Sequence, residues 1–372
     1  MPEVLDVREA ASHFLPDGQF VSAHRFGSGH INDTFLVSME GNPAVSCFVL
    51  QRINTNVFGN PAALMENISR VTEHLRSKKA KCLALIPTVD GEHFYRSSND
   101  EVWRTYEFIP GAVAYDSVQN TRQARHTASM FGGFQELLAD LPGPRLKETI
   151  PNFHNTPVRY SHFHDAVRED AYDRVRFCGE EIDRALAWED EAGALVALHE
   201  TGRIPERIIH NDTKLNNLLF DETSGEPVCV VDLDTVMPGV VLYDFGDMVR
   251  TATSPTAEDT TDLSSVRLRL PYYEALVDGF VGATSGFLTE LEIEHLSISG
   301  KIITIETGLR FLTDYLCGDE YFGSQRPDQN LDRCRTQFAL ATSIEEQFDE
   351  MQDIVNRIAS RHPTPRPPLR TS

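Results

Sequence analysis

Short runs of alternating apolar and polar residues fill the first third of the chain, and this period of two is typical of β-strands. The runs cover residues 20–26, 34–39, 45–53 and 103–109, with further strand character at 83–88 and 94–95. A helical spacing interrupts them after Asn60-Pro61, a pair that favours the start of a helix. Another short helix is predicted at 3–14. We therefore predict a five-stranded antiparallel sheet with one or two helices.

The pattern becomes mainly helical in the rest of the chain. Helices are predicted at 117–141, 160–201, 262–284, 289–316 and 328–359. A length of 372 residues fits two domains or one domain with two lobes. The fold class predicted is α+β, with a small antiparallel-sheet lobe at 1–108 and a mainly helical lobe at 109–360. Four prolines in the segment 361–372 predict an extended tail.

Between two of the helical stretches, residues 208–234 carry polar side chains at fixed places among short apolar strands. Strands are predicted at 208–209, 218–220 and 228–233, and a turn-rich stretch joins the last two into a hairpin. A hairpin of this size folds its far end back over its near end. We therefore expect Asp232, at the far end, to lie beside Asn217 and Asp212.

These side chains are the ones that phosphoryl transfer requires. A carboxylate orients the attacking hydroxyl, while an amide oxygen and a second carboxylate hold Mg²⁺ against the nucleotide phosphates. Asn217 follows Asp212 by five residues, which is the spacing of base and metal ligand in protein-kinase catalytic loops. The predicted roles are base for Asp212, phosphoryl-group cation for Lys214, and metal ligand for Asn217, Asp232 and Asp234. The alternative is a polar turn whose side chains bond only to local backbone.

A further aspartate, Asp244, begins the letters Asp-Phe-Gly, which mark a metal-binding motif in protein kinases. Asp232 comes 20 residues after Asp212, whereas Asp244 comes 32 residues after it and follows a Pro-Gly turn. We interpret Asp244 as a helix cap or as a scaffold residue that braces the catalytic loop. Metal binding by Asp244 is the alternative.

The loop between the first two predicted strands is a candidate cover for nucleotide phosphates. Gly27, Ser28 and Gly29 allow backbone N–H groups to approach a phosphate closely, because glycine has no Cβ. An ordinary hairpin turn is the alternative interpretation. In the same loop, the side chains of His30 and Asp33 are candidates for contact with a polar substrate.

Kinases place a cation on the third strand to hold the nucleotide phosphates. Arg52 is the only cation of the strand at 45–53, and its neighbour Gln51 points to the opposite face, so either is a candidate. Glu66, on the next helix, is a candidate partner for the strand cation or an exposed residue. The strand that ends before Pro110-Gly111 is a candidate hinge for adenine, with Tyr106, Phe108 and Ile109 as contacts.

Charge and composition narrow the choice of partners. A net charge of −22 argues against nucleic acid and anionic membranes as partners. Neither a signal peptide nor an apolar run of membrane-spanning length is predicted. Six cysteines without a CxxC pair predict reduced thiols, and hence a cytoplasmic protein. The histidines at 154, 162 and 164 lack a second cluster of ligands, so we expect them at the surface and not in a zinc site.

The sequence HNDTKLNNLLF at 210–220 and the stretch 230–247 resemble the aminoglycoside phosphotransferase and choline kinase superfamily. The strings DLDTVMPG and YDFGD most resemble the N-acetylhexosamine 1-kinases. Further similar stretches lie at 27–35, 48–54, 65–76, 103–111 and 308–322. The resemblance implies a protein-kinase-like fold, ATP as co-substrate and Mg²⁺ as cofactor. The strand at 45–53 has no lysine, a position that varies in the superfamily.

The resemblance also implies an acceptor. Arg310 and Tyr321 match residues that contact the sugar in N-acetylhexosamine 1-kinases, although a surface salt bridge is the alternative role for Arg310. The expected reaction is phosphorylation of the anomeric hydroxyl of GlcNAc or GalNAc, giving the sugar 1-phosphate. One alternative is a kinase of the same fold that acts on homoserine, choline, ethanolamine or an aminoglycoside. Another is a kinase-like binding module without catalysis, which the presence of Asp212, Asn217 and Asp232 disfavours.

Overall fold

The computed structural model describes residues 4–15, 18–27, 29, 31–41 and 46–362, so Ser28, His30 and residues 363–372 lie outside it. The chain forms two compact units. The first consists of residues 1–113, 140–151 and 219–237, and the second of 114–139, 152–218 and 238–372. The predicted lobes were contiguous, with a boundary at 108. The chain instead returns to the first unit after 218, because Phe220 and Asp221 pair with Val113 and Ala112.

The first unit contains the five-stranded antiparallel sheet that the sequence predicts. Its strands are β1 (Gln19–Arg25), β2 (Asp33–Glu40), β3 (Cys47–Ile53), β4 (Tyr95–Arg96) and β5 (Val102–Glu107). They lie in the order β1-β2-β3-β5-β4, and every neighbouring pair is antiparallel. The strand predicted at 83–88 is wrong, because within this stretch only Leu85 forms a bridge, to Tyr106. Three short strands complete the unit: β6 (Ala112–Val113), β8 (Leu218–Asp221) and β9 (Pro227–Val230).

Two helices accompany this sheet, as predicted: α1 (Val4–Ser12) and α2 (Pro61–Ser77). The side chain of Asn60 caps α2 by accepting a hydrogen bond from the Ala63 N–H at 3.1 Å, which confirms the predicted helix start. One face of the sheet packs with α1 into a core. Its buried side chains include Val7, Ala10, Phe14, Phe35, Val37, Phe48, Leu50 and Trp103.

The second unit is mainly helical, and the α+β fold class with a small antiparallel sheet and a helical remainder is confirmed. Its helices are α3 (Thr121–Leu138), α4 (Thr156–Glu169), α5 (Gly179–Ala187), α6 (Glu189–Ala192), α7 (Ala194–Glu200), α8 (Val241–Thr253), α9 (Leu270–Thr284), α10 (Glu290–Glu294), α11 (Leu296–Leu316), α12 (Gln329–Glu346) and α13 (Phe348–Ala359). Strand β7 (Arg207–Ile209) pairs with β10 (Met237–Gly239), on which the chain re-enters this unit. Helix α11 is buried along nearly its whole length, so other helices surround it.

Two glycines let α3 and α9 approach closely. A Cβ on Gly279 of α9 would lie 2.2 Å from the carbonyl oxygen of Arg125 on α3. A Cβ on Gly132 of α3 would lie 2.9 Å from a methyl carbon of Thr284. Among the helices of the described part of the chain, none is long and apolar enough to cross a membrane.

The close approach of α3 and α9 predicts that Gly279→Ala destabilises the protein. The added methyl group meets backbone that cannot move aside, and overpacking of this kind costs about 1–3 kcal/mol. Gly133→Ala is the matched control, because a Cβ there would have no described atom within 4 Å. Alanine is the better helix former by roughly 0.5–1 kcal/mol, so this control is expected to stabilise. Urea unfolding of both variants measures the difference, and equal shifts would contradict the close packing.

Candidate active site

The catalytic loop predicted from the spacing lies between β7 and β8, in the second unit. The Lys214 Nζ lies 3.1 Å from Asp212 Oδ1. The Nδ2 of Asn217 donates to Asp212 Oδ2 and to the Asp212 carbonyl oxygen, each at 2.8 Å. The structure thus brings together three residues that the sequence predicted.

Charge and burial have opposite effects on the Asp212 carboxyl. Burial raises the pKa of Asp212, but the charge of Lys214, the electrostatic effect of His210 and the hydrogen bonds from Lys214 and Asn217 outweigh it and hold that pKa below its ordinary value. The Asp212 carboxylate in turn raises the pKa of Lys214. At neutral pH the loop therefore presents an ionised carboxylate beside an ammonium group. Such a pair can orient a hydroxyl and steady negative charge at the same time.

Asp244, in the first turn of α8, binds the backbone of this loop. Its carboxylate accepts hydrogen bonds from the N–H groups of His210 and Asn211 at 2.8 and 2.6 Å, and from Gln135 Nε2 at 2.6 Å. Burial raises the pKa of Asp244, and these donors oppose that rise. The predicted brace is confirmed. The helix-cap interpretation is wrong, because Val240 takes the N-cap position of α8.

Asn211 has a left-handed backbone, with φ of 65°, directly before Asp212. A conformation that is costly for a non-glycine residue persists where its surroundings fix it. The Asn211 N–H is fixed by Asp244, and its carbonyl oxygen lies 3.3 Å from His154 Nε2. One residue after Asp212, the Thr213 N–H donates to Asp247 Oδ2 at 2.9 Å. Asp212 is therefore held by its neighbours on both sides.

The role of His154 was not predicted, and its expected surface position is wrong. His154 is buried, and its Nδ1 lies 2.7 Å from Glu306 Oε1. Glu306 is fully buried on α11 and also accepts from Thr156 Oγ1 at 2.6 Å. Burial raises the pKa of Glu306, but His154 outweighs it and lowers that pKa. A glutamate among the apolar residues of α11 was the only sequence signal of this network.

Arg310 and Tyr321, the two residues that the resemblance pointed to, lie together. The Arg310 guanidinium lies 5.8 Å from the ring centre of Tyr321, 5.1 Å from that of Phe153 and 5.3 Å from that of Phe322. The Tyr321 side chain remains 55% exposed. We call these four residues the aromatic–arginine cluster. Arg310 follows Glu306 by one turn of α11, so one helix carries both this cluster and a support of the catalytic loop.

In the first unit, the two aspartates predicted as metal ligands differ in their surroundings. Asp232 is exposed and has a left-handed backbone, with φ of 56°. Asp234 is buried, and its carboxylate accepts from Arg104 at 2.5 and 2.9 Å and from Asn32 Nδ2 at 2.7 Å. The Asp234 carboxylate is thus held by buried donors, whereas the Asp232 side chain is exposed, and the metal contacts predicted for both stay predictions.

The predicted strand cation has its own partners. Arg52 forms ion pairs with Glu101 and with Asp33, the latter at 2.5 Å, and Arg25 also pairs with Asp33. Burial raises the pKa of Asp33, but Arg52 and Arg25 outweigh it and lower that pKa. These arginines hold the Asp33 carboxylate in place, and its predicted substrate contact stays a prediction. Glu66 is exposed and forms no ion pair among the described residues.

Arg104 on β5 is a buried cation of this unit that the sequence pattern did not predict. Arg104 is 1% exposed and lies directly across from Gln51 in the β3–β5 register. The Arg104 Nε donates to Gln51 Oε1 at 2.9 Å, so Gln51, and not Arg52, faces the Asp234 network. A single arginine within an apolar strand was the available signal.

The remaining candidates for nucleotide contact are partly described. Gly27 has φ of 79°, a conformation that favours glycine and so fits a tight loop. Ser28 and His30 lie outside the described residues, so their predicted contacts stay predictions. Tyr106 is buried, and burial raises the pKa of its hydroxyl, which has no partner among the described residues. Phe108 is half-buried and packs edge to face on Phe26 with ring centres 5.9 Å apart, and Ile109 is also half-buried.

The geometry at Asp244 predicts a large loss of stability in Asp244→Ala. Each buried donor left unpaired costs about 1–3 kcal/mol, and three donors lose their acceptor. Asp165→Ala is the control, because Asp165 pairs with Arg168 on an exposed helix face and such pairs contribute about 0–1 kcal/mol. Urea unfolding compares the two variants. An Asp244→Ala protein as stable as the control would contradict the brace.

Comparison with known proteins places this geometry in a family. A profile of the phosphotransferase enzyme family, APH, matches residues 22–275. The fold is similar to that of a microcompartment-associated aminopropanol kinase, with a TM-score of 0.59, 14% identity and coverage of 94% of this chain and 99% of that one. It is also similar to a choline kinase from Cryptosporidium parvum Iowa II, with a TM-score of 0.57, 14% identity and coverage of 92% and 93%.

A third similar structure is the amicoumacin kinase hAmiN in complex with AMP-PNP and Ca²⁺, with a TM-score of 0.58, 10% identity and coverage of 95% and 94%. Identities this low show a shared fold and nothing finer. The profile, in contrast, spans most of the chain, from β1 through the catalytic loop and into α9. The protein therefore belongs to the phosphotransferase enzyme family and is a small-molecule phosphotransferase.

Proposed function

We propose that this protein transfers the γ-phosphoryl group of ATP to the anomeric hydroxyl of an N-acetylhexosamine, GlcNAc or GalNAc, and releases the sugar 1-phosphate. The aromatic–arginine cluster is the observation that carries this proposal. It lies on the same helix as Glu306, which supports the catalytic loop through His154. An acceptor bound at the cluster is thereby tied to the loop that carries Asp212.

Asp212 accepts a hydrogen bond from the acceptor hydroxyl and orients it for attack on the γ-phosphorus. Because its pKa is lowered, the carboxylate is ionised throughout the neutral range and acts first by positioning the hydroxyl. As the new oxygen–phosphorus bond forms, the bond from the γ-phosphorus to the oxygen that bridges to the β-phosphorus breaks. The hydroxyl proton passes to Asp212, and ADP leaves. Lys214, 3.1 Å from that carboxylate, stabilises negative charge on the transferred group.

Asn217 and Asp232 are the proposed ligands for Mg²⁺. The Asn217 amide donates its N–H groups to Asp212, and no donor among the described residues bonds to its oxygen, which suits that oxygen to a cation. Asp232 supplies an exposed carboxylate, and Mg²⁺ prefers oxygen ligands completed by substrate phosphates. Bound Mg²⁺ would neutralise phosphate charge. The hAmiN complex with AMP-PNP and Ca²⁺ supports a nucleotide and a divalent cation at this fold.

The charge of the acceptor region favours a neutral sugar over a cation. Besides Arg310, the region contains Arg159, whose pKa is lowered by burial and by the nearby charge of Arg310. The buried carboxylates of α11 beside this region are already bonded. Glu306 accepts from His154 and Thr156, and Asp314 accepts from the backbone N–H groups of Tyr321 and Phe322. Choline, ethanolamine and aminoglycosides would meet repulsion here. A sugar offers hydroxyl and amide oxygens to the guanidinium and a pyranose face to the rings.

Asp212→Asn tests the catalytic role directly. The amide keeps the shape of the side chain but cannot take a proton, so kcat is expected to fall by about 10²–10⁴-fold. ATP binding, followed by fluorescence of a labelled nucleotide, is expected to stay unchanged. A variant that keeps more than roughly a tenth of the wild-type kcat would contradict the role of Asp212 as base.

Arg310→Ala tests the acceptor. Loss of this guanidinium leaves a sugar oxygen unpaired, and a cost of about 1–3 kcal/mol corresponds to a fall of roughly 5–150-fold in kcat/KM for the sugar. The KM for ATP is expected to stay constant. Arg184→Ala is the control, because Arg184 also lies over an aromatic ring, that of Trp188, but outside the cluster.

The site of phosphorylation is read by phosphorus–proton coupling in NMR after incubation with ATP, Mg²⁺ and GlcNAc or GalNAc. A phosphate on carbon 1 is the expected product. Homoserine, choline and ethanolamine are assayed in parallel, since homoserine also carries a carboxylate that Arg310 could bind. Phosphate on carbon 6, or rapid turnover of homoserine without turnover of either sugar, would contradict the proposed acceptor.

A further inference from the structure

Asp234 and Arg104 form a buried ion pair within the first unit, where water does not compete for their charges. The two ends of the guanidinium bond to the two carboxylate oxygens at 2.5 and 2.9 Å. This fork-to-fork arrangement fixes the direction of the carboxylate as well as its charge. Asp234 lies only two residues after Asp232, the proposed metal ligand.

The ion pair is itself fixed by the sheet. Arg104 on β5 donates its Nε–H to Gln51 Oε1 on β3 at 2.9 Å, and Gln51 donates to Thr34 Oγ1 on β2 at 3.0 Å. A chain of hydrogen bonds therefore runs across three strands before it reaches Asp234. Because each side chain in this series is hydrogen-bonded to the next, Arg104 and the carboxylate that it binds have little freedom to move.

Two further contacts hold the turn that contains Asp234. Asn32, in the loop between β1 and β2, donates to Asp234 Oδ2 at 2.7 Å and accepts from the Asn54 N–H at 2.9 Å. Thr149 Oγ1 donates to the Asp234 carbonyl oxygen at 2.8 Å. Backbone and side chain of Asp234 are thus both fixed, and the loop proposed to cover the nucleotide is tied to the same carboxylate.

Asp232 needs this support because its backbone is left-handed, with φ of 56° and ψ of 64°. A non-glycine residue enters this region at a cost and stays there when the surrounding structure determines it. The short 3₁₀ turn that follows, Leu233–Thr235, contains Asp234 and connects the two aspartates rigidly. If Asp234 lost these contacts, Asp232 could adopt an ordinary backbone conformation, and its carboxylate would then point in another direction.

We propose that Arg104 is a positioning residue for the divalent cation, which acts by holding Asp234 so that Asp232 keeps its left-handed, metal-binding conformation. Asp234 is in this view the link between Arg104 and Asp232 and not itself a ligand. The inference rests on the proposed role of Asp232 in metal binding. Strand β3 has no lysine, and in this proposal Arg104 on the neighbouring strand β5 supports the cation indirectly instead. It predicts that changes at Arg104 alter metal affinity without contact to the metal.

The test measures Mn²⁺ binding by electron paramagnetic resonance in the presence of AMP-PNP, with the full chain and without any acceptor. Arg104→Lys keeps the charge but loses the fork, and Asn32→Ala removes one half-buried donor. Loss of a residue that supports a metal ligand typically weakens affinity by about 10–100-fold, which is the result expected for Arg104→Lys. Asn32→Ala is expected to weaken Mn²⁺ binding by roughly threefold, in line with the loss of one hydrogen bond.

Three controls make the result specific. Arg96→Lys changes an exposed arginine that pairs with Asp100 in the same unit, and its Mn²⁺ affinity is expected to equal that of the wild type. Asp232→Ala is expected to lose the Mn²⁺ site. The double variant Arg104→Met with Asp234→Leu replaces the buried pair by apolar groups, which keeps a fold that a single uncompensated charge could disrupt. It is expected to match Arg104→Lys in metal affinity or to bind more weakly.

Wild-type Mn²⁺ affinity in Arg104→Lys and in the double variant would overturn the proposal. So would an Asp234→Asn protein that loses Mn²⁺ while Arg104→Lys retains it, because Asp234 would then be a ligand in its own right. Absence of Mn²⁺ binding in the wild type would instead contradict the metal role of Asp232 on which the inference rests. The assay contains no acceptor, so a failure of the proposed sugar specificity leaves its outcome unchanged.

Discussion

The buried carboxylate of Asp244 is the contact on which the catalytic loop depends. Backbone N–H groups in a loop have no regular partner, and a single carboxylate in the first turn of α8 satisfies two of them beside Asp212. A neutral side chain could not accept these bonds as strongly, because charge-assisted hydrogen bonds are the stronger ones. The position of Asp212 therefore follows from a residue that never needs to touch substrate.

In both units of the chain, a buried carboxylate lies close to a residue with a left-handed backbone. In the second unit Asp244 and His154 fix Asn211, whose left-handed backbone directly precedes Asp212. In the first unit Asp234 is fixed by Arg104 and Asn32, and it follows the left-handed Asp232. The second unit thus stores local backbone strain directly before Asp212, and the first stores it in Asp232, the proposed metal ligand. Both offset the strain with a buried carboxylate.

The sequence predicted what local patterns determine. Alternation gave the five-stranded sheet, the Asn-Pro pair gave the start of α2, and the five-residue spacing brought Asn217 to Asp212. It did not predict the pairs His154–Glu306 and Arg104–Asp234, whose members lie 152 and 130 residues apart. No period or cap connects residues at such distances. The isolated charge in an apolar strand or helix shows that a partner is needed but does not identify it.

The hydrogen bonds and ion pairs of the acidic side chains also explain how so acidic a chain could bind anionic ATP. Although the net charge is −22, the aspartates and glutamates nearest the catalytic loop are bonded to backbone N–H groups or to cations. Their charge is therefore largely neutralised before a ligand arrives. Lys214 likewise pairs with Asp212, whereas Arg310 lies over aromatic rings and forms no ion pair among the described residues. The local field is set by which charges lack a buried opposite charge and not by the total. For the same reason the acceptor is better inferred from the Arg310 cluster than from composition, since overall acidity alone would have favoured a cationic substrate.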